Sequence, residues 1–477
     1  MVPKMKNKSI KKNYIYNLCY QILVILTPIV VTPYISRVLG PSGTGEYDYV
    51  NSIISYCMMF LNLGTYTYGQ REIAFNRDDE KACLEIFKDI QSLRFFYLII
   101  ATLIYVILKI YLIDTPVFAV GYFLLLSAFF DITWYYLGLE SFGKVIFKNI
   151  IVRIFTIISI FAFVKNDSNT FIYAGIMSIG TLIGNISLWP SLLLKIKYLS
   201  IPNNYNFFLY IKKTIIFCIP SIATTIYVNL DKTMLGSFCS ADQVGYYSQA
   251  EKIVKLLVTI TTAASTVLMP RISYLVKQGE MKNAKTYIQK SINLTLMLAL
   301  PMFWGICGIA ETFIPYFLGD EYYMSINIMK ILSILPICMG LSSITGAAFL
   351  VPLNMQDKYN ISLLLCAVLN IILNFIFIPR YKAIGASIAT IISEMFVLIL
   401  QMWFLRRHLH GLIDTQSIVK SLLSSFVMFI FLKYLKMPEI ILSAFLSIVV
   451  YFLSLVILRE KSILLFIKQI KINKKSG

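Results

Sequence analysis

The chain has 477 residues, 58% of them hydrophobic and 14% charged, with a mean hydropathy of +0.74. Soluble domains carry about 25% charged residues, so this composition excludes a soluble globular protein and indicates an all-α polytopic membrane protein. The formal net charge of +19 would suggest nucleic acid in a soluble chain, but the cations here fall in alternate loops between apolar runs, and no nucleic-acid partner is expected.

At about 20 apolar residues per span, the sequence predicts fourteen transmembrane helices: 14–37, 46–69, 90–112, 117–139, 145–164, 170–195, 208–236, 245–273, 287–310, 325–350, 359–379, 384–405, 416–435 and 438–458. The first apolar run ends in Arg37-Val38-Leu39-Gly40 and not in a small-residue cleavage site, so it is expected to stay in the mature chain. Lys4, Lys6, Lys8, Lys11 and Lys12 precede it. Arg71, Arg77, Lys81, Lys88 and Arg94 follow the second helix, and further cations collect at Lys195, Lys197, Lys212, Lys213, Arg271, Lys277, Lys282, Lys285, Lys290, Arg406, Arg407 and the Lys461–Lys475 tail. By the positive-inside rule these loops and both termini are cytoplasmic, in a multi-pass protein of the cell membrane. An even helix count agrees.

The loops are short, which limits the chemistry. Ile73, Ala82, Ile86, Phe87 and Ile90 alternate with Arg77, Asp78, Asp79, Glu80, Lys81, Lys88 and Asp89, a pattern that predicts a short amphipathic helix on the membrane surface. The acidic run Asp78-Asp79-Glu80 is read as salt-bridged to Arg77 and Lys81 and not as a metal cluster. His408 and His410 stand beside Arg406 and Arg407 and are read as solvated, headgroup-facing residues. No nucleophile elbow, phosphate loop or zinc spacing appears, so the chain is expected to be neither an enzyme nor a cofactor carrier. The eight cysteines are scattered, mostly in apolar runs, and are read as packing residues.

The chain also carries one pattern twice, about 200 residues apart. Leu39-Gly40, Gly45-x-Tyr47 and Arg71 recur as Leu235-Gly236, Gly245-x-Tyr247 and Arg271. An internal repeat in a membrane chain points to a transporter with its substrate site at the interface of the repeats. Three parts are expected: an N-lobe of helices 1–6 over residues 1–200, a C-lobe of helices 7–12 over 201–406, and two final helices with the basic tail over 407–477.

Charges inside spans are costly and mark functional candidates. Arg37, Arg153, Lys232, Lys252 and Lys255 are the expected substrate-binding cations. Asp131, Asp231, Glu251 and Glu394 are expected as coupling carboxylates or ion-pair partners, with Glu251 and Lys255 placed at i and i+4. Arg153 has Asp131 as a candidate interhelical partner, and Asp231 adjoins Lys232. Pro28, Pro33, Pro220, Pro301 and Pro336 are candidate bends.

The stretch from Thr32-Pro33-Tyr34-Ile35-Ser36-Arg37-Val38-Leu39-Gly40-Pro41 to Tyr47 and Gly64-x-x-x-Tyr68-Gly69-Gln70-Arg71-Glu72-Ile73-Ala74 resembles the amino-terminal signature of the Wzx-type polysaccharide flippases. In the second half, Asp231-Lys232-x-Met234-Leu235-Gly236 and Val244-Gly245-Tyr246-Tyr247-Ser248-x-Ala250 resemble the same family. The resemblance implies the fold of the multidrug/oligosaccharidyl-lipid/polysaccharide exporter superfamily, two six-helix lobes plus two further helices. It also implies translocation of an undecaprenyl-diphosphate-linked oligosaccharide between leaflets of the lipid bilayer, alongside a polysaccharide polymerase and export machinery. Tyr34, Tyr47, Tyr227, Tyr246 and Tyr247 are then candidate sugar contacts or interfacial anchors. A peptidoglycan-precursor flippase and a cation-coupled multidrug exporter are the alternatives within the superfamily. A membrane enzyme or scaffold of polysaccharide assembly is the alternative outside it.

Overall fold

A computed structural model describes residues 10–198, 207–408, 414–435 and 440–460. The assignments made to Lys4, Lys6, Lys8, His410 and the Lys461–Lys475 tail lie outside these residues. All regular structure among the described residues is helical, and nine helices there are long and apolar enough to cross a membrane. The chain divides into two compact units, Met1–Gly245 and Tyr246–Gly477.

The first unit opens with α1 (Ile10–Asn62), interrupted at Gly40 by a residue with φ 63° and ψ −176°. Only glycine adopts that conformation without cost, and Pro41 directly after it suits the first turn of the segment that follows. A second glycine, Gly64 (φ 75°), separates α1 from α2 (Thr65–Phe75). A Cβ there would lie 2.2 Å from the carbonyl oxygen of Thr214, so its conformation and its surroundings both demand glycine.

The predicted surface helix does not form as one piece. A turn at residues 76–79 ends α2, and α3 (Glu80–Tyr111) starts anew with the Asp79 carboxylate accepting from Lys81 N (3.0 Å) and Ala82 N (3.1 Å). Asp79 is therefore an N-cap and not a member of a salt-bridged run, while Arg77 pairs instead with Glu140 at 2.7 Å. Ile73, Phe87 and Ile90 are buried in a core with Tyr68, Trp134 and Leu188. Burial of both ends of the pattern draws α2 and α3 into the unit.

The remaining helices of this unit are α4 (Pro116–Phe130), α5 (Thr133–Gly138), α6 (Phe142–Phe163), α7 (Thr170–Ile186), α8 (Pro190–Tyr198) and α9 (Phe207–Phe238). The apolar runs at 117–139 and 170–195 each break in two, at Asp131-Ile132 and before Pro190.

The second unit takes most of α10 (Ala241–Lys277), then α11 (Met281–Leu318), α12 (Ser325–Leu332), α13 (Leu335–Thr345), α14 (Gln356–Phe404), α15 (Thr415–Leu435) and α16 (Ile440–Ile457). A π-helical turn over 346–350 follows α13, and α14 breaks at Lys382 (φ 51°, ψ −130°). Small residues let the final helices dock. The Gly305 and Gly308 positions of α11 leave room for Met428 and Leu432 of α15, the close-packing device of membrane helices. Exposed side chains such as Leu103, Ile107, Phe155, Ile158, Phe375 and Ile399 supply the apolar exterior that a bilayer requires.

Candidate functional site

The duplicated motif meets itself in the first unit. A Cβ on Gly45 would stand 1.8 Å from the Ala241 carbonyl oxygen and 2.7 Å from Gly245 N, and one on Gly245 would stand 2.1 Å from the Pro41 carbonyl oxygen. Backbone touches backbone where α1 crosses the start of α10. Below this crossing, residues at helical spacing on α1 continue the seam along α9. Tyr49 covers Gly236, and its hydroxyl lies 3.4 Å from Ser237 Oγ. Ser52 Oγ lies 2.9 Å from Thr233 Oγ1, which donates to the Tyr56 hydroxyl at 3.1 Å.

The predicted cations of this unit flank that seam or lie apart from it. Arg37 is exposed one turn before the Gly40 break. Asp231 is buried and Lys232 half-buried, next to Thr233 in the seam. The expected Arg153–Asp131 pair does not form. Arg153 Nη1 reaches the Val24 carbonyl at 3.4 Å, whereas the Asp131 carboxylate accepts from Thr133 N (2.9 Å) and Thr133 Oγ1 (2.6 Å). The physical reason is the break between α4 and α5: Asp131 ends α4, and its carboxylate turns to the first backbone N–H of α5.

That break exposes a set of carbonyls that composition alone could not flag. Asn185 Nδ2 donates to Ser127 O at 2.8 Å, Gln91 Nε2 to Phe129 O at 3.1 Å and Trp189 Nε1 to Phe130 O at 2.8 Å. Arg94, fully buried, donates to Ala128 O and, at 2.7 Å, to Asp131 O. Five consecutive carbonyls at the C-terminal end of α4 are thus satisfied by side chains, as a helix end inside a membrane demands. A cation at a helix C-terminus is also favoured by the dipole. Arg94 counts with the loop cations in sequence, yet it lies well inside α3. Lys148, whose Nζ donates to Asn185 Oδ1 at 2.8 Å, also escapes the sequence reading. Its signal was a lysine five residues before Arg153 in the same largely apolar span.

In the second unit, Lys255 Nζ meets Glu251 Oε1 at 2.6 Å across one helical turn, as the spacing predicts, with Glu251 buried and Lys255 39% exposed. Lys252 is half-buried beside them. Tyr247 is fully buried, its hydroxyl 3.2 Å from Thr390 Oγ1, and Tyr246 packs edge-on against Tyr322 while its carbonyl accepts from Ser325 Oγ. In the first unit Tyr34 donates to Val164 O and Tyr47 packs edge-on against Tyr173. These four tyrosines work within the fold.

Glu394 is buried on α14, in a helix with a polar interior face that sequence reading missed: Ser362, Cys366, Asn370 and Asn374 recur every fourth residue and are all buried. Gln401 ties this face to α13, donating to Ser362 Oγ (3.2 Å) and accepting from Thr345 Oγ1 (2.6 Å). His408 is half-buried against Phe349, at 6.1 Å between rings, and does not stand in solvent as predicted.

Several loop cations rest on aromatic rings. The Arg71 guanidinium lies 5.4 Å from the Tyr68 ring centre, 5.7 Å from Phe75 and 4.8 Å from Phe217, and Arg406 lies 4.7 Å from Trp403. Such pairs anchor helix ends at a membrane surface.

Comparison with known proteins gives this geometry its context. A protein of Escherichia coli (strain K12) described as an O-antigen transporter is 23% identical over 416 residues, covering 84% of this chain and 97% of its own length. A Haloferax volcanii protein described as a probable flippase of low-salt glycan biosynthesis is 26% identical over 194 residues, 41% of this chain and 40% of that relative. Among solved structures, the lipid II flippase MurJ in an inward closed conformation superposes with a TM-score of 0.72 at 17% identity, covering 94% of this chain and 98% of that one, a likeness of fold. The model of the polysaccharide biosynthesis protein family matches residues 10–276, and the chain therefore belongs to that family as one of its multi-pass membrane members.

Proposed function

We propose that the protein is a flippase that carries undecaprenyl-diphosphate-linked oligosaccharide repeat units from the cytoplasmic to the outer leaflet of the cell membrane, for capsule, O-antigen or exopolysaccharide synthesis. The observation that carries this reading is the match that runs through nearly the whole length of a relative described as an O-antigen transporter. Fourteen spans arranged as two six-helix lobes and two final helices, with both termini cytoplasmic, accommodate it, and the headgroup crosses by alternating access. Arg37, Arg153, Lys232, Lys252 and Lys255 are the cations assigned to the diphosphate and to acidic sugars, because a charge held at membrane depth needs an aqueous or ionic partner. Asp231, Glu251 and Glu394 are assigned to coupling or to holding those cations, as Glu251 holds Lys255. A polysaccharide polymerase and export machinery would take over the product.

The test is deletion of the gene followed by localisation of lipid-linked repeat units. Accumulation on the cytoplasmic face supports the reading. Normal surface polysaccharide with a loss of drug resistance refutes it in favour of a drug exporter, and accumulation of peptidoglycan precursor would instead mark a lipid II flippase.

A further inference from the structure

Four of the five tyrosines expected to touch sugar, Tyr34, Tyr47, Tyr246 and Tyr247, make contacts within the fold, which directs attention to other saccharide contacts. A cavity of about 360 Å³ opens at the end of the first unit where α3 finishes, between the Gly40 break of α1, the start of α4 and the turn preceding α7. Sites for small molecules occupy about 300–1,000 Å³, and this one falls at the low end, with room for a mono- or disaccharide.

Its lining is chemically mixed. Glu46 and Asp167 supply carboxylates, Ser42, Ser168 and Thr170 supply hydroxyls, and Phe171 supplies an aromatic face that is 46% exposed. The floor is built: Gly43 lies so close to the buried Thr170 that a Cβ would stand 2.6 Å from its Oγ1. Glu46 is oriented by the Thr115 hydroxyl, whose oxygen in turn accepts from Phe118 N at 3.2 Å and so ties the carboxylate to the first turn of α4. Asp167 Oδ1 accepts from Ser168 N at 2.7 Å, leaving its second oxygen for a ligand.

Carboxylates accept from neighbouring hydroxyls or from an ammonium group, while a ring face takes the C–H side of a pyranose. No lysine or arginine lines the cavity among the described residues, so a diphosphate or a uronic acid would meet uncompensated negative charge. We propose that this cavity is a saccharide subsite selective for a neutral or amine-bearing sugar of the carried oligosaccharide. This rests on the flippase reading and places the sugars apart from the cations assigned to the diphosphate.

The experiment uses the purified full chain in detergent and ligand-observed saturation-transfer NMR with three probes: glucosamine, N-acetylglucosamine and galacturonate. Binding is expected in that order, with galacturonate weakest. Glu46→Gln with Asp167→Asn should weaken glucosamine about tenfold or more, the loss of charge-assisted hydrogen bonds, and should erase its advantage over the neutral sugar. Ser42→Trp, at an exposed rim position, should abolish binding of all three while leaving the chain monodisperse. Absence of binding to the wild-type protein, a preference for galacturonate, or binding untouched by Ser42→Trp would each overturn the subsite. Translocation of lipid-linked oligosaccharide in proteoliposomes is the separate arm. Transport without sugar binding sinks the subsite alone, and sugar binding without transport sinks the flippase reading alone.

Discussion

Replacing Gly45 by alanine tests the seam that the repeated motif builds. The new methyl carbon would begin 1.8 Å from the Ala241 carbonyl oxygen, against about 3.3 Å for an ordinary close C–H···O approach. The two helices must part locally by about 1.5 Å to restore that distance. Overpacking of this kind costs about 1–3 kcal/mol, and alanine's better helix propensity returns up to about 1 kcal/mol. With the full propensity gain the net penalty is about 0–2 kcal/mol, which at its upper end reduces the population with a closed seam by roughly 30-fold relative to any state in which the helices separate. Spin labels on Ser42→Cys and Ser240→Cys, both exposed sites flanking the crossing, report the separation by pulsed electron resonance once the eight native cysteines are replaced. The Gly45→Ala distribution should shift to longer distances or broaden. Gly143→Ala is the control: nothing lies within 4 Å of a Cβ there, and it should leave the distribution unchanged. Identical distributions for Gly45→Ala and Gly143→Ala would refute the tight crossing.

Arg94→Met removes the donors to Ala128 O and Asp131 O and should lower stability by about 3–5 kcal/mol, the cost of stripping a buried charged partner, read as a lower midpoint in thermal size-exclusion assays. Arg94→Lys should recover only part of the loss, since an ammonium lacks the planar fork. Lys232→Ala or Lys252→Ala should impair repeat-unit translocation while membrane insertion stays intact. Normal surface glycan in both variants would remove the cationic-site proposal. Tyr247→Phe deletes the hydroxyl next to Thr390 and should cost about 0.5–1.5 kcal/mol of stability without changing glycan export, separating an internal tyrosine from a sugar contact.

How far the sequence could be read depended on the kind of signal. Hydrophobicity over windows of about 20 residues marks a membrane chain, and nine helices among the described residues are long and apolar enough to span; the i, i+4 spacing of Glu251 and Lys255 led directly to their 2.6 Å contact. Breaks within apolar runs were harder. The run containing Asp131 reads as continuous because one aspartate barely alters the window average, yet that residue ends one helix and its carboxylate holds Thr133 at the start of the next. The duplicated glycines were visible as a repeat, but their mutual contact was not: glycine identity says that a backbone comes close, and only tertiary structure says which backbone. Tyr247 is hard to read for a related reason. A tyrosine beside a glycine at a tight crossing can be drawn wholly into the packing, as Tyr247 is, with its hydroxyl next to Thr390.

The breaks also change how an intramembrane charge should be weighed. A charged residue in a span is a functional candidate because burial without a partner is too costly to persist, but a broken helix supplies partners of its own. Arg94 is the most deeply buried of the first unit's five arginines, and its hydrogen bonds run to the carbonyls of Ala128 and Asp131 and to the Asn62 amide oxygen. Depth alone would have ranked it first for substrate and its partners rank it last. Exposed Arg37 and half-buried Lys232, Lys252 and Lys255 are shallower cations, which keep some solvent access at or near the two copies of the motif. On the proposed flippase reading a diphosphate reaches its cation through water, so partial exposure is the better criterion for a substrate cation, and mutational screens of this chain should begin with those four residues and not with the most buried charge.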